Sequence, residues 1–283
     1  MEAARKPIGI FDSGVGGLTV LKAVRERLPA EQLIYLGDTA RLPYGTKSPS
    51  TVQRYALHAA EHLLRRDIKL LVVACNTATA LALPLLQQQL APIPVLGVVQ
   101  PGAAAAVQQS RNGRYLVLAT EATARQQAYS NAIHALSPNA AVQELACAMF
   151  VALAEEGWHA GGVAESVATK YLQFVAGLPG DETPDTAILG CTHFPLLRKP
   201  ISAVLGPDVS IVDSASTTAA AVEAELLRLE LLATEARSDA LQLIATDGAA
   251  RFARVGSLFL GQRFSAADIE LVDMHPQDLP ERD

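Results

Sequence analysis

Two cysteines stand where this chain could perform chemistry, and each one follows a short apolar run. The first lies in 71–77 (LVVACNT) and the second in 187–193 (AILGCTH). Both segments place an apolar strand and a small residue before the cysteine, Cys75 or Cys191, and polar side chains after it. A single strand-end cysteine is usually a small buried hydrophobe. Two at equivalent places in two half-chains favour catalysis.

Two opposed cysteines are typical of proton transfer. One thiolate would remove a proton from carbon, and the other, as a thiol, would deliver a proton to the opposite face. A free thiol has a pKa of about 8.5, so each cysteine needs hydrogen-bond donors or positive charge nearby to become a thiolate. His193 and backbone N–H groups at helix starts are the candidates. One nucleophilic cysteine with His193 as its partner is the alternative.

Two patterns of metal-ligand type compete with this interpretation. Cys75, Cys191 and His193 could bind zinc, but a structural zinc site usually takes four ligands in tight pairs, and the sequence has no C-x-x-C pair. The segment 58–62 (HAAEH) matches one metalloprotease pattern, yet no third ligand is evident downstream. We therefore predict no metal, a solvated helix face at 58–62, and a core position for Cys147.

A glycine-rich turn occupies 11–19 (FDSGVGGLT). A dinucleotide fingerprint would need glycine in place of Thr19, and the lysine of a phosphate loop is missing. Backbone N–H groups of the turn would instead bind a substrate carboxylate, with Asp12 and Ser13 aimed at it. A simple helix N-cap is the competing interpretation.

Short apolar runs alternate with helical patterns, which is the rhythm of a mostly parallel α/β fold. The runs are apolar throughout, as in strands covered on both faces. The predicted strands are 7–11, 33–36, 70–74, 95–98, 115–119, 187–189, 211–212 and 241–245. The predicted helices are 17–27, 49–66, 122–136, 166–175 and 217–232.

The similarity of the two cysteine segments indicates two pseudo-symmetric, doubly wound α/β domains with mostly parallel sheets. We predict the first at 1–99 plus 213–283 and the second at 100–212, with a mobile tail over 273–283. Ligands of open parallel sheets bind beyond the carboxyl ends of the strands. A cleft between the domains would therefore bring the two cysteines face to face.

The composition of the chain indicates which classes of binding partner to expect. The chain has 283 residues, of which 50% are hydrophobic, and a net charge of -6. Lysine and arginine form no cluster, so we expect no nucleic-acid partner. An export signal is not evident, and polar residues interrupt the uncharged stretch between Lys69 and Arg111, so we expect no membrane segment. A cytoplasmic protein with free thiols and a small-molecule substrate is predicted.

Four segments closely resemble the glutamate racemases: 7–18, 35–45, 74–78 and 189–197. The resemblance runs in order across nearly the whole chain. It implies two domains with the active site between them, no pyridoxal phosphate or other cofactor, and no metal. It also implies that L-glutamate is converted to D-glutamate for peptidoglycan synthesis, and so for cell wall biogenesis and cell shape.

The resemblance also implies roles for individual residues. Cys75 would exchange the proton of D-glutamate and Cys191 that of L-glutamate, assisted by Asp12, His193 and Glu155. Without the resemblance, Glu155 would be interpreted as a surface charge. The substrate would be bound by Asp12, Ser13, Pro43, Tyr44, Gly45, Asn76, Thr77, Thr120, Thr123, Thr192 and His193.

Three alternatives stay open. The same machinery could racemise aspartate or another amino acid, because pocket shape sets the accepted side-chain length. One cysteine could be the nucleophile of a hydrolase or lyase. The chain could also be a non-catalytic regulatory binder on a racemase scaffold. Assembly as a homodimer and regulation by a cell-wall precursor are likewise left open.

Overall fold

The computed structural model describes residues 2–180, 182–235 and 241–274, and within them ten strands form two parallel sheets. The strands of the first sheet are β1 (Ile8–Asp12), β2 (Leu33–Gly37), β3 (Leu70–Val73), β4 (Val95–Gly97), β9 (Leu241–Ala245) and β10 (Ile269–Leu271), in the order β10-β9-β2-β1-β3-β4. Those of the second are β5 (Arg114–Ala119), β6 (Ala141–Ala146), β7 (Thr186–Gly190) and β8 (Ser210–Asp213), in the order β6-β5-β7-β8. The predicted α/β class is confirmed.

Helices cover both faces of each sheet. They are α1 (Leu18–Arg27), α2 (Pro49–Leu64), α3 (Asn76–Leu90), α4 (Val99–Gln109), α5 (Glu121–Arg125), α6 (Ala128–Leu136), α7 (Ala148–Glu155), α8 (Gly162–Leu172), α9 (Arg198–Leu205), α10 (Ser214–Arg228) and α11 (Ala249–Leu260). Successive strand residues face opposite cores: Leu70 and Val72 pack into one core, and Leu71 and Val73 into the other. This two-sided burial explains the unbroken apolar runs. None of the helices described is long and apolar enough to cross a bilayer.

All eight predicted strands are present, and two were missed. The edge strand β6 alternates between exposed and partly buried residues, so it lacks the apolar run that identified the others. The other missed strand, β10, has only three residues, of which two are exposed. One predicted helix is wrong: 122–136 forms two helices, α5 and α6, because Gln127 takes a left-handed conformation with φ 50°.

The chain leaves the first sheet through α4, forms the second sheet, and returns through α10. After its return, β9 pairs with β2 of the first sheet in parallel register. Strands before and after the second sheet in the sequence thus belong to one sheet. The domain boundaries themselves stay a prediction. Most of the expected tail, 275–283, lies outside the described residues.

Close packing at the start of α1 generates a stability prediction. A Cβ atom added at Gly17 would lie 2.6 Å from Asp12 Cβ and 3.0 Å from Ala74 Cβ. We expect Gly17→Ala to lower the free energy of unfolding by about 1–3 kcal/mol, because the turn must shift to admit the methyl group. Urea unfolding midpoints would measure this.

The matched control is Gly162→Ala, in the first turn of α8, where the added Cβ has no neighbour within 4 Å among the residues that the structure describes. Alanine there should leave the free energy of unfolding unchanged or raise it by up to about 1 kcal/mol. Equal midpoints for the two alanine variants would contradict the packing argument.

Candidate active site

A cavity of about 200 Å³ lies between the carboxyl ends of the two sheets. The first sheet contributes Ser13, Pro43, Tyr44, Gly45, Thr46, Cys75, Asn76 and Thr77 to its walls. The second contributes Thr120, Glu121, Ala148, Val151, Cys191, Thr192 and His193. Carboxyl ends of parallel strands are where ligands of such sheets bind. Both cysteines therefore border one ligand-sized space.

Cys75 lies just beyond β3 and caps the N-terminus of α3. Its Sγ accepts the N–H of Ala78 at 3.4 Å, and its thiol donates to Ser13 Oγ at 3.5 Å. Burial raises the pKa of Cys75 to about 12, and the negative charge of Asp12 adds to that rise. A hydrogen bond from the Ala78 N–H, and one that the Ser13 hydroxyl would donate to the thiolate, oppose this rise only partly. Cys75 is accordingly a thiol at neutral pH.

Asp12 ends β1 behind the cavity wall. Its Oδ2 accepts the N–H of Gly14 at 2.9 Å, while Oδ1 is buried without a hydrogen-bond partner among the described residues. Burial raises the pKa of this carboxyl group, whereas the nearby His193 and backbone N–H groups lower it. A buried acceptor without a partner is rare in proteins. Asp12 thus has an oxygen available for a ligand donor or a proton.

Cys191 follows β7 and begins a chain of polar contacts. Its Sγ lies 3.8 Å from His193 Nδ1, and His193 Nε2 lies 3.0 Å from Glu155 Oε1. Burial alone would lower the pKa of His193. Hydrogen bonds and negative charge from Cys191 and Glu155 outweigh it and raise that pKa to about 10. The geometry therefore places a positively charged imidazolium beside the Cys191 sulfur.

The Glu155 carboxylate, the last group in this series of contacts, has a partner at each of its two oxygens. Glu155 Oε2 accepts a hydrogen bond from Arg251 Nη2 at 2.7 Å. Burial raises the pKa of Glu155, but His193 and Arg251 outweigh it and bring that pKa below its ordinary value. Glu155 is thus a carboxylate at neutral pH, and it accepts the Nε2–H of His193.

Hydroxyl and amide groups line the remainder of the cavity. Thr77, Thr120 and Thr123 form a triangle of hydroxyls with O···O distances of 3.0, 3.0 and 3.5 Å. The Tyr129 hydroxyl donates to Asn76 Oδ1 at 2.8 Å, and Asn76 Nδ2 is buried without a hydrogen-bond partner in the part of the chain that the structure describes. The amide donor of Asn76 is therefore available to a bound acceptor.

The loop over 43–46 closes the cavity from the first sheet. Tyr44 is fully buried, and its hydroxyl donates to Asp38 Oδ2 at 2.5 Å. Gly45 faces the second sheet, since a Cβ added there would lie 3.4 Å from Thr120 Cβ. The hydrogen bond to Asp38 thus holds the ring against the wall.

Most residues of the predicted site border the cavity. Asp12, Thr123 and Glu155 are the exceptions. Of these, Thr123 contacts the lining residue Thr120, and Glu155 contacts the lining residue His193. Cys147 is a free thiol in the core of the second sheet, as predicted. Sequence reasoning missed the lining residues Thr46, Glu121, Ala148 and Val151, and the supporting residues Tyr129 and Arg251.

The metal-ligand patterns have no counterpart in this site. In 2–180, 182–235 and 241–274, no group of three or more His, Cys, Asp or Glu side chains is arranged to hold a metal ion. The 58–62 pattern lies on α2, and neither histidine borders the cavity.

Comparison with known proteins agrees with this geometry. A sequence profile of the family described as Asp/Glu/Hydantoin racemase matches residues 9–223. The glutamate racemase of Geobacter metallireducens is 53% identical over 257 residues, covering 90% of this chain and 93% of the relative. That of Chlorobaculum tepidum is 45% identical and covers 95% and 96%.

Solved structures agree as well. A Francisella tularensis glutamate racemase in complex with D-glutamate has a TM-score of 0.86 and 34% identity, covering 96% of this chain and 98% of that one. The Bacillus anthracis glutamate racemase isoform RacE1 has a TM-score of 0.87 and 35% identity, covering 95% and 97%.

The His193–Glu155 pair generates a prediction about stability and pH. A carboxyl group with a lowered pKa stabilises the fold above its unfolded pKa, here 4.5, and this contribution is lost at lower pH. An imidazole with a raised pKa stabilises it fully below its unfolded pKa of 6.5, and this contribution is lost as the pH rises to about 10. The pair should therefore contribute most between these two unfolded values.

We expect Glu155→Gln to lower the free energy of unfolding by about 1.5–3 kcal/mol near pH 6, the range of a hydrogen bond to a charged group. The difference from the unchanged protein should shrink towards pH 4 and towards pH 10, as followed by urea midpoints across that range. Glu156→Gln, at the exposed neighbouring position, is the control. A Glu155→Gln deficit that does not vary with pH would contradict the pairing.

Proposed function

Because the chain belongs to the Asp/Glu/Hydantoin racemase family, and is therefore an enzyme, we propose that it interconverts L- and D-glutamate by transferring protons between two thiols. One observation carries the proposal: two buried cysteines, from the strand ends of two different sheets, border a single cavity. A substrate α-carbon placed between them would have an acid/base group on each face.

The proton inventory of the proposed reaction is simple. For L-glutamate, the Cys191 thiolate takes the α-proton and becomes a thiol, while the electron pair stays on the α-carbon. The Cys75 thiol then delivers its own proton to the opposite face and becomes a thiolate. D-glutamate has formed, and one proton has moved from each donor to its acceptor. The reverse reaction starts from the opposite thiol and thiolate.

The electrostatics support the starting state for L-glutamate. Burial and Asp12 keep Cys75 a thiol by raising its pKa to about 12. On the other side, the imidazolium of His193 lies against Cys191 and Glu155 faces its far nitrogen. The sulfur that accepts the α-proton in the proposed reaction therefore lies beside a positive charge. The two sides thus supply one proton donor and one acceptor before the substrate binds.

Unpaired polar groups support an amino-acid substrate. Asn76 Nδ2 is a free buried donor suited to a carboxylate oxygen, and Asp12 Oδ1 is a free buried acceptor suited to an ammonium group. The N-terminus of α3, at Cys75 to Ala78, adds backbone N–H groups and the positive end of the helix dipole. Carboxylate and ammonium groups would each find an opposite partner.

The choice of glutamate rests on the relatives. The Francisella tularensis racemase structure is a complex with D-glutamate, and an Escherichia coli glutamate racemase structure is a complex with L-glutamate. We further propose that D-glutamate made by this chain supplies peptidoglycan synthesis in the cytoplasm. Aspartate remains the competing substrate, because one methylene is worth only about 1–3 kcal/mol of discrimination in a pocket.

The direct test is racemisation in deuterated water. Incubated with L-glutamate, the enzyme should abolish optical rotation and place one deuterium on the α-carbon of the D-product, as followed by polarimetry and mass spectrometry. L-aspartate, run in parallel, should exchange far more slowly. Equal rates would contradict the choice of glutamate, and exchange with neither amino acid would contradict racemisation itself.

Replacing either cysteine tests the two-thiol mechanism. Cys75→Ser and Cys191→Ser should each lower kcat by at least about 10²–10⁴-fold, because an alcohol ionises far less readily than a thiol. Cys147→Ala, which changes a buried thiol outside the cavity wall, should keep near-normal activity. Circular dichroism would check that all three variants fold. Full activity in either serine variant would show that two thiols are not required.

A further inference from the structure

Helix α11 contacts the Cys191 side of the cavity from the opposite sheet. It packs against α1 and β10 of the first sheet, whereas Glu155 and His193 belong to the second. Arg251 of α11 donates to Glu155 Oε2 at 2.7 Å. Two helical turns later, Phe259 meets the His193 ring edge to face, with 5.1 Å between ring centroids. One face of α11 thus touches both members of the His193–Glu155 pair.

The two oxygens of Glu155 are divided between these partners. Oε1 faces His193 Nε2 and Oε2 faces Arg251, so a rotation of the carboxylate would break one contact or the other. The Arg251 side chain is 50% exposed, whereas those of Glu155 and His193 are 18% and 11% exposed. Half-exposed ion pairs contribute little to stability. The main effect of the Arg251–Glu155 pair is therefore to orient the Glu155 carboxylate.

We propose that Arg251 is a positioning residue for proton transfer at Cys191, acting from the opposite sheet by holding Glu155 against His193 Nε2. The inference rests on the proposed function. With Nε2–H donated to Glu155, Nδ1 is the nitrogen that faces Cys191, which sets the ring for exchange with that thiol. Phe259 fixes the plane of the ring from the same helix.

Other charged groups face this pair. Asp247 borders, together with Glu155 and Arg251, a separate cavity of about 180 Å³ behind the active site. The guanidinium of Arg251 nevertheless lies against Glu155, while Asp247 Oδ1 accepts the N–H of Gly248. Asp12 approaches His193 from the Cys75 side. Glu155 is thus held between two positively charged groups, with His193 at one oxygen and Arg251 at the other.

Kinetics of matched variants test the proposal. Arg251→Met should lower kcat/KM by about tenfold, mostly through kcat, because Arg251 does not border the substrate cavity. The acidic limb of the kcat/KM profile should move to higher pH by up to about one unit, since Glu155 loses a neighbouring positive charge. Arg251→Lys should return the acidic limb to the pH at which it lies in the unchanged enzyme, because lysine keeps the positive charge. Arg251→Gln should behave like Arg251→Met.

Arg254→Met is the control, because Arg254 is exposed on the same helix and its loss changes the net charge equally. It should leave the profile unchanged. If Arg254→Met reproduces the Arg251→Met profile, general charge is responsible and the positioning role is overturned. An Arg251→Met profile identical to that of the unchanged enzyme overturns it as well.

A measurement without substrate separates this inference from the proposed function. Nuclear magnetic resonance of ¹⁵N-labelled imidazoles should show a protected Nε2–H of His193 in the unchanged protein and in Arg251→Lys, and its loss in Arg251→Met. An unaltered resonance in Arg251→Met overturns the positioning role whatever the activity. Altered imidazole signals in a protein that racemises nothing would support the contact and sink the proposed function alone.

Discussion

Burial of two thiols in one cavity is the constraint on which the rest of this structure depends. A thiolate is costly to bury unless hydrogen-bond donors or positive charge stand beside it. The fold meets this requirement by ending parallel strands at the cavity, where helix N-termini supply backbone N–H groups. Neither sheet encloses the space alone, since each contributes about half of the wall.

Each thiol follows the end of a strand, but the two have different chemical partners. Beside Cys75 are the Ser13 hydroxyl and the buried Asp12, and burial together with the charge of Asp12 holds this cysteine in the protonated form. Beside Cys191 is an imidazole backed by a carboxylate, which together favour a positive charge at that side. Two identical surroundings would favour two thiols or two thiolates, and a two-base reaction can start from neither. The proposed two-base reaction therefore requires this asymmetry, which the pseudo-symmetric backbone does not reveal.

Much of the arrangement was predictable because its signals are local. Apolar runs marked eight strands, and the repeated strand-plus-cysteine plan placed Cys75 and Cys191 at equivalent strand ends. The edge strand β6 lacked that signal, because its exposed face breaks the apolar run. Glu155 would have been interpreted as a surface charge without the family resemblance. Its partner Arg251 lies 96 residues away, and only the packing of α11 brings them together.

Contacts across the two sheets recur around the cavity. Tyr129 of the second sheet orients the amide of Asn76, the Thr77 hydroxyl meets Thr120, and Thr19 of the first sheet donates to the carbonyl of Thr192 at 3.0 Å. Groups in the wall supplied by one sheet are thus held in place by residues of the other. The positions of these polar groups therefore depend on how the two sheets are placed, which neither half of the sequence determines alone. The repeat in the sequence predicts two similar halves. It does not predict the different partners of Cys75 and Cys191 or the contacts between the two sheets.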